Sequence, residues 1–151
     1  MALDSSIYVR KAVMAALKGN AALTSLVPAA RIYPATTLSG VQWPFVMYGS
    51  DTATPIRMAC VDGMEMPFSF QAYAKPAYDG SRMIETAEDR VIIIGAAISA
   101  AIDRQTLTLA SPYPAKARIR WVSTSSRIAG AETDAWRAIV SFRARVMSQV
   151  E

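Results

Sequence analysis

Three acidic residues, Glu85, Glu88 and Asp89, recur at helical spacing and are of a type that can serve as acid, base or metal ligand. At the head of a helix the same residues need no such role, because carboxylates there face water and favour the positive end of the dipole. That plainer account carries more weight, since nothing around them completes a site. The chain has no histidine, the side chain that titrates near neutral pH without help. Its single cysteine, Cys60, therefore has no imidazole to activate it, and an internal disulfide or an ordinary zinc site is excluded. No G-x-S-x-G elbow, P-loop or dinucleotide fingerprint occurs in the sequence. We assign no catalytic residue, no metal site and no cofactor, and expect a protein that is not an enzyme.

Basic residues offer more. Between Lys116 and Arg145 there are seven Lys or Arg against only Glu132 and Asp134. Arg118 and Arg120 fall on one face of a predicted strand, and Arg143 and Arg145 on one face of another. If those strands pair across a turn containing Gly130, the four guanidiniums form one patch, suited to DNA phosphates or to an acidic partner. An ordinary solvated sheet face predicts the same alternation. Of the two functional readings, a contact with acidic groups of a neighbouring copy, such as Glu85, Glu88 or Asp89, is favoured. The chain's acids concentrate on one long helix and its bases on these strands. Methionine is the third candidate: Met58, Met64 and Met66 surround Asp62-Gly63, and thioethers suit both cores and adaptable interfaces.

These residues must be positioned by a fold that composition makes credible. With 52% hydrophobic and 19% charged residues in 151, the chain can bury a core as one domain spanning 1–151. It is also apolar enough to suggest a surface covered in an assembly. The net charge of +4 permits a nucleic-acid partner without requiring one. The start, Met-Ala-Leu-Asp-Ser, lacks a secretory pattern, and the apolar run 91–102 is too short to span a bilayer. The expectation is a reducing, aqueous compartment and no membrane.

Hydrophobic spacing predicts an N-terminal helix over about 5–18, running through Ile7, Val13, Met14 and Leu17 and stopping at Gly19-Asn20. It predicts one long helix over about 80–102, with Ile84, Ala87, Val91, Ile94, Ile98 and Ala101 on a single stripe. Residues 45–48, 64–74, 106–109, 117–122 and 136–146 read as strands. Asp62-Gly63 predicts a tight hairpin turn, and we expect Met58, Asp62, Gly63 and Met64 to form a mobile hairpin with exposed methionines. Pro67 predicts an edge or a bulge. The last strand puts Phe142 and Ala144 on the core face opposite Arg143 and Arg145, and Ile119 and Trp121 do the same opposite Arg118 and Arg120. The order predicts α+β, a mostly antiparallel sheet packed by the long helix and the N-terminal one.

Several pieces in this order resemble a known family. They are Asn20 to Val27 after the first helix, Arg31-Ile32-Tyr33, Trp43-Pro44-Phe45-Val46 opening a strand, and Phe68 to Ala74 before the long helix. Thr106-Leu107-Thr108-Leu109 and a closing strand with Val140-Ser141-Phe142 complete the pattern. Together they are similar to the tail-completion, or tail-terminator, proteins of long-tailed bacteriophages and related particles. The resemblance implies a structural virion protein forming a hexameric ring. It would cap the tail tube, end its polymerisation and meet the head–tail connector or stopper, with DNA passing non-specifically through the ring. It also implies a place at the head–tail junction of the virion, reached from the host cytoplasm. Another neck connector protein and a small non-viral α+β binding module are the alternatives.

Overall fold

The computed structural model describes residues 4–34, 40–49, 51–58, 61–110, 115–129 and 134–149. Its spine is a pair of strands, β4 (Val61–Ala74) and β9 (Trp136–Gln149), of 14 residues each. They run antiparallel in register from Val61↔Gln149 to Ala74↔Trp136, a ladder roughly 45 Å long. Both sequences alternate, so one face of the ladder collects Met64, Met66, Phe68, Phe70, Ala72 and Ala74 with Ala138, Val140, Phe142, Ala144 and Val146, all buried. Phe68 and Phe142 stack across it at 5.4 Å. The cross-strand aromatic contact adds about 1 kcal/mol to what burial alone supplies.

Shorter strands extend the sheet on both sides. β2 (Phe45–Tyr48) and β3 (Thr54–Met58) pair antiparallel with β4, and β1 (Ile32–Tyr33) lies parallel to β2. β8 (Lys116–Ile128) pairs with β9, and β7 (Thr106–Thr108) with the first residues of β8. The sheet is thus mixed but mostly antiparallel, and the fold α+β, as expected. Pairing of β2 ends at Tyr48↔Phe70 and that of β3 at Thr54↔Glu65. Pro67 falls in the gap between them, where a missing N–H breaks no ladder.

Helices cover one face. α1 (Ser6–Lys18) buries Val9, Val13 and Leu17. Ile7, expected on that stripe, is 52% exposed; two residues before Val9 it points about 200° away. α2 (Ala21–Thr24) follows, capped by Asn20, whose Oδ1 accepts from the Leu23 N–H at 3.0 Å. α3 (Ala87–Ile102) is the long helix, but it begins later than the 80–102 reading placed it. Thr86 is its cap, accepting from the Asp89 N–H at 3.2 Å. Before it Gly80, at φ +62°, turns the chain between β5 (Ala77–Asp79) and β6 (Arg82–Glu85). These two strands form a separate sheet. Glu85 therefore lies in a strand rather than beside Glu88 and Asp89 on a helix, and Ile84 is 63% exposed instead of in the core. The rest of the predicted stripe, Ala87, Val91, Ile94 and Ile98, is buried.

Three further expectations are corrected. Asp62 and Gly63 are not a turn; they sit inside β4 opposite Ser148 and Met147. β3 and β4 do form a hairpin, with Met58 opposite Val61, and residues 59–60, Cys60 among them, lie outside the described residues. Gly63 is required for a different reason: a Cβ there would collide with the carbonyl oxygen of Val146. Met64, expected to be exposed, is 2% exposed and its sulfur accepts from the Ser5 N–H at 3.3 Å. Trp121, expected in the core, is 47% exposed. A register shift between Trp121 and Ser123 inserts Val122 into β8 and breaks the in–out alternation at that point. The Gly130 turn joining β8 to β9 lies outside the described residues, although Ile128↔Trp136 fixes the antiparallel pairing on either side.

Candidate functional site

The register assembles the basic patch on the sheet face away from the helices. Arg118 stands directly opposite Arg145, and Arg120 opposite Arg143. The four belong to two neighbouring rows, and their alternating partners Ala117, Ile119, Phe142 and Ala144 are buried on the other side. Like charges placed opposite one another across an antiparallel pair are unfavourable unless something neutralises them. One partial remedy is internal: the Arg143 Nε lies 3.2 Å from Glu65 Oε1. Both side chains are solvent-accessible, and such a pair contributes at most about 1 kcal/mol. Among the described residues, Arg118, Arg120 and Arg145 have no acidic group within ion-pair distance. Arg118, Arg145 and Lys116 line an open cavity of 570 Å³ whose rim carries the Thr106 and Thr108 hydroxyls. Three cations and two hydroxyls around one hollow form a receptor for anionic oxygens.

The acids singled out from sequence are elsewhere. Glu88 and Asp89 are exposed in the first turn of α3, and α3 packs on the face opposite the arginines. No ion pair joins Glu85, Glu88 or Asp89 to the four arginines. Within one chain these groups do not meet. Among the described residues no group of His, Cys, Asp and Glu is arranged to hold a metal ion. No described helix is long and apolar enough to cross a membrane.

Three features were not read from sequence. The first is the β5–β6 hairpin, which displays Tyr78, Met83 and Ile84 at 55%, 47% and 63% exposure. Its signal was present in Asp79-Gly80-Ser81 followed by the Thr86 cap, but the helical stripe happens to extend back through Ile84. The second is an aromatic corner: Phe45 stacks on Tyr73 at 4.7 Å and meets Trp43 at 5.0 Å. The Lys75 ammonium lies 4.8 Å above the Trp43 ring. This closes the β2 side of the arginine-bearing face to water. The third ties α1 to the sheet: the Tyr48 hydroxyl donates to Asp51 Oδ2 at 2.7 Å, and Arg10 Nη2 donates to the same oxygen at 3.2 Å. Burial, reinforced by the Asp51 carboxylate, pushes the Tyr48 hydroxyl well above its ordinary pKa, and the bond to Asp51 holds Arg10 charged. Arg10, Tyr48 and Asp51 form a structural clamp, and Asp51 also borders a shallow open hollow of 290 Å³ with Ser69, Ser141 and Arg143.

The profile of the family described as "Tail completion protein gp17" matches residues 11–147. A solved chain from the "Virion of native gene transfer agent (GTA) particle" shares 20% identity over 97% of this chain and 100% of its own, with a TM-score of 0.76. A second solved chain, 16% identical, covers 99% of this chain and 100% of its own at a TM-score of 0.59. At such identities the two structures establish a shared fold. No curated protein matches in sequence.

Proposed function

The chain belongs to the tail completion protein gp17 family, a family of phage tail structure, and from that premise we propose that it acts as a ring at the end of the tail tube. The ring, a hexamer by family resemblance, caps the tube, ends its polymerisation and presents a surface to the head connector. The observation that carries this reading is the profile match across residues 11–147. The fold shared with a chain of a gene transfer agent virion supports it. The chain acts without catalysis, as one domain, inside the virion at the head–tail junction.

The basic face then lines the passage for DNA. Sequence alone favoured a contact with acids of the next copy. The register supports the passage instead, because Arg118↔Arg145 and Arg120↔Arg143 concentrate charge in one block beside Lys116. A phosphate backbone matches that density, whereas Glu85, Glu88 and Asp89 are divided between a strand and a helix start. Such contacts weaken steeply with salt, by a log–log slope of about −0.9 per phosphate, and ignore base sequence.

Electron microscopy of the protein mixed with purified tails lacking it tests the proposal. Ring-shaped density on the tube end and an arrest of tube growth are expected; a protein that leaves tube ends bare is not a terminator. Arg143→Glu with Arg145→Glu should leave rings intact while DNA no longer passes into them. Loss of the rings themselves would return these arginines to the subunit contact.

A further inference from the structure

The β8 strand is unprotected along its second half. β7 covers Lys116, Ala117 and Arg118, the Ile119 N–H donates to the Gln105 carbonyl, and the Trp121 N–H is capped by Asp103 Oδ1 at 2.8 Å. From Val122 to Ile128 the strand pairs with β9 only, and among the described residues nothing bonds its outer edge. An open edge is a template for another strand, and soluble proteins blunt theirs with lysine, proline or short length. The other edges here follow that rule: β1 and β7 have 2 and 3 residues, and β3 carries Pro55. The stretch Val122-Ser-Thr-Ser-Ser-Arg-Ile128 has neither lysine nor proline, and it exposes Val122 and Ile128 at 57% and 54%.

The same chain carries a counterpart that it cannot use on itself. The β5–β6 hairpin is a sheet of its own, and β6 pairs on one side only, with β5. In the main sheet β9 lies between β8 and β4, the strand from which the hairpin emerges. β6, Arg82–Glu85, has 4 residues, short enough to lie along the free length of β8. Its exposed Met83 and Ile84 offer apolar surface at one end of that length, beside Val122. Charge agrees as well. The hairpin, residues 77–85, holds Asp79 and Glu85 against Arg82, while the edge, residues 122–128, holds Arg127 and no acid.

We propose that the β6 strand of one copy adds to the free β8 edge, Val122–Ile128, of the next copy. This rests on the ring reading and gives that ring its joint. A contact between two different surfaces repeats head to tail, and it closes into a ring when the rotation allows. Backbone bonds supply the attachment, and the flanking side chains set its register.

Cross-linking tests the contact in the full-length chain with Cys60→Ser as background. One preparation carries Met83→Cys, a second Ser125→Cys, and the two are mixed with tails and treated with a short bis-maleimide. A covalent dimer at twice the 16.3 kDa chain mass is expected only in the mixture. Rings without this dimer keep the ring and overturn the β6–β8 contact. The dimer without rings keeps the contact and overturns the ring. A second measurement uses exposed positions that leave folding intact, Ile84→Asp on the hairpin and Val122→Asp on the edge. Each alone should lose assembly, and mixing them should restore one intact joint and so stop at a dimer. Assembly of either variant alone at the wild-type level would also overturn the contact.

Discussion

Two neighbouring stretches, Tyr78–Glu85 and Ala87–Ile102, both carry large apolar side chains and end in opposite environments. In the helix, Val91, Ile94 and Ile98 are at most 3% exposed, because one stripe lies on the face of β4 and β9. In the hairpin, Tyr78, Met83 and Ile84 keep about half or more of their surface exposed. β8 repeats the contrast within one strand: Ala117 and Ile119 are fully buried, and Trp121 and Val122, two and three positions on, are about half exposed. Apolar side chains that their own chain leaves uncovered mark surface available to a partner. In a protein of a tail-completion family, those two uncovered stretches are where assembly is expected.

The contrast is broken most severely by charge. Ile94→Asp places an unpaired carboxylate against the sheet and should prevent stable folding, a loss on the order of 4 kcal/mol or more. Ile84→Asp, the same change ten residues earlier, should shift the thermal midpoint of the isolated chain by no more than about 0.5 kcal/mol equivalent. Parallel melting curves check the pair, and equal losses would mean that Ile84 is buried after all.

Glycines sharpen the comparison at intermediate and small effect. Gly63→Ala pushes a methyl into the Val146 backbone, so the central ladder must shift, at a cost of about 1–3 kcal/mol in denaturant unfolding. Gly95→Ala has the opposite sign. Its Cβ would meet Val140 Cγ2, Ala138 Cβ and Thr124 Cγ2 at 3.4–3.5 Å, which is ordinary contact. Better helix propensity should then raise stability by about 0.5–1 kcal/mol. A destabilised Gly95→Ala would show that the helix needs a closer approach to the sheet than these distances imply.

By itself the sequence determined the parts whose signal is local. Period-two alternation marked β4 and β9, and the same alternation put Arg118 with Arg120 on one face of β8 and Arg143 with Arg145 on one face of β9. A 3.6-residue period marked most of α3, and the lack of histidine removed the usual acid–base chemistry. What tertiary structure alone decided is where each pattern stops being covered. Ile84 continues the helical stripe in sequence, yet Gly80 and Thr86 place it in a hairpin, because a turn and a cap outweigh one matching spacing. Asp62-Gly63 has the composition of a tight turn, yet Gly63 lies in a long ladder, where the approach of Val146 is what excludes a side chain. Trp121 alternates like a core residue, but β7 ends at Arg118 and a bulge between Trp121 and Ser123 shifts the register. Burial belongs to the neighbours a residue meets across the fold, and alternation along a strand carries no record of how far those neighbours extend.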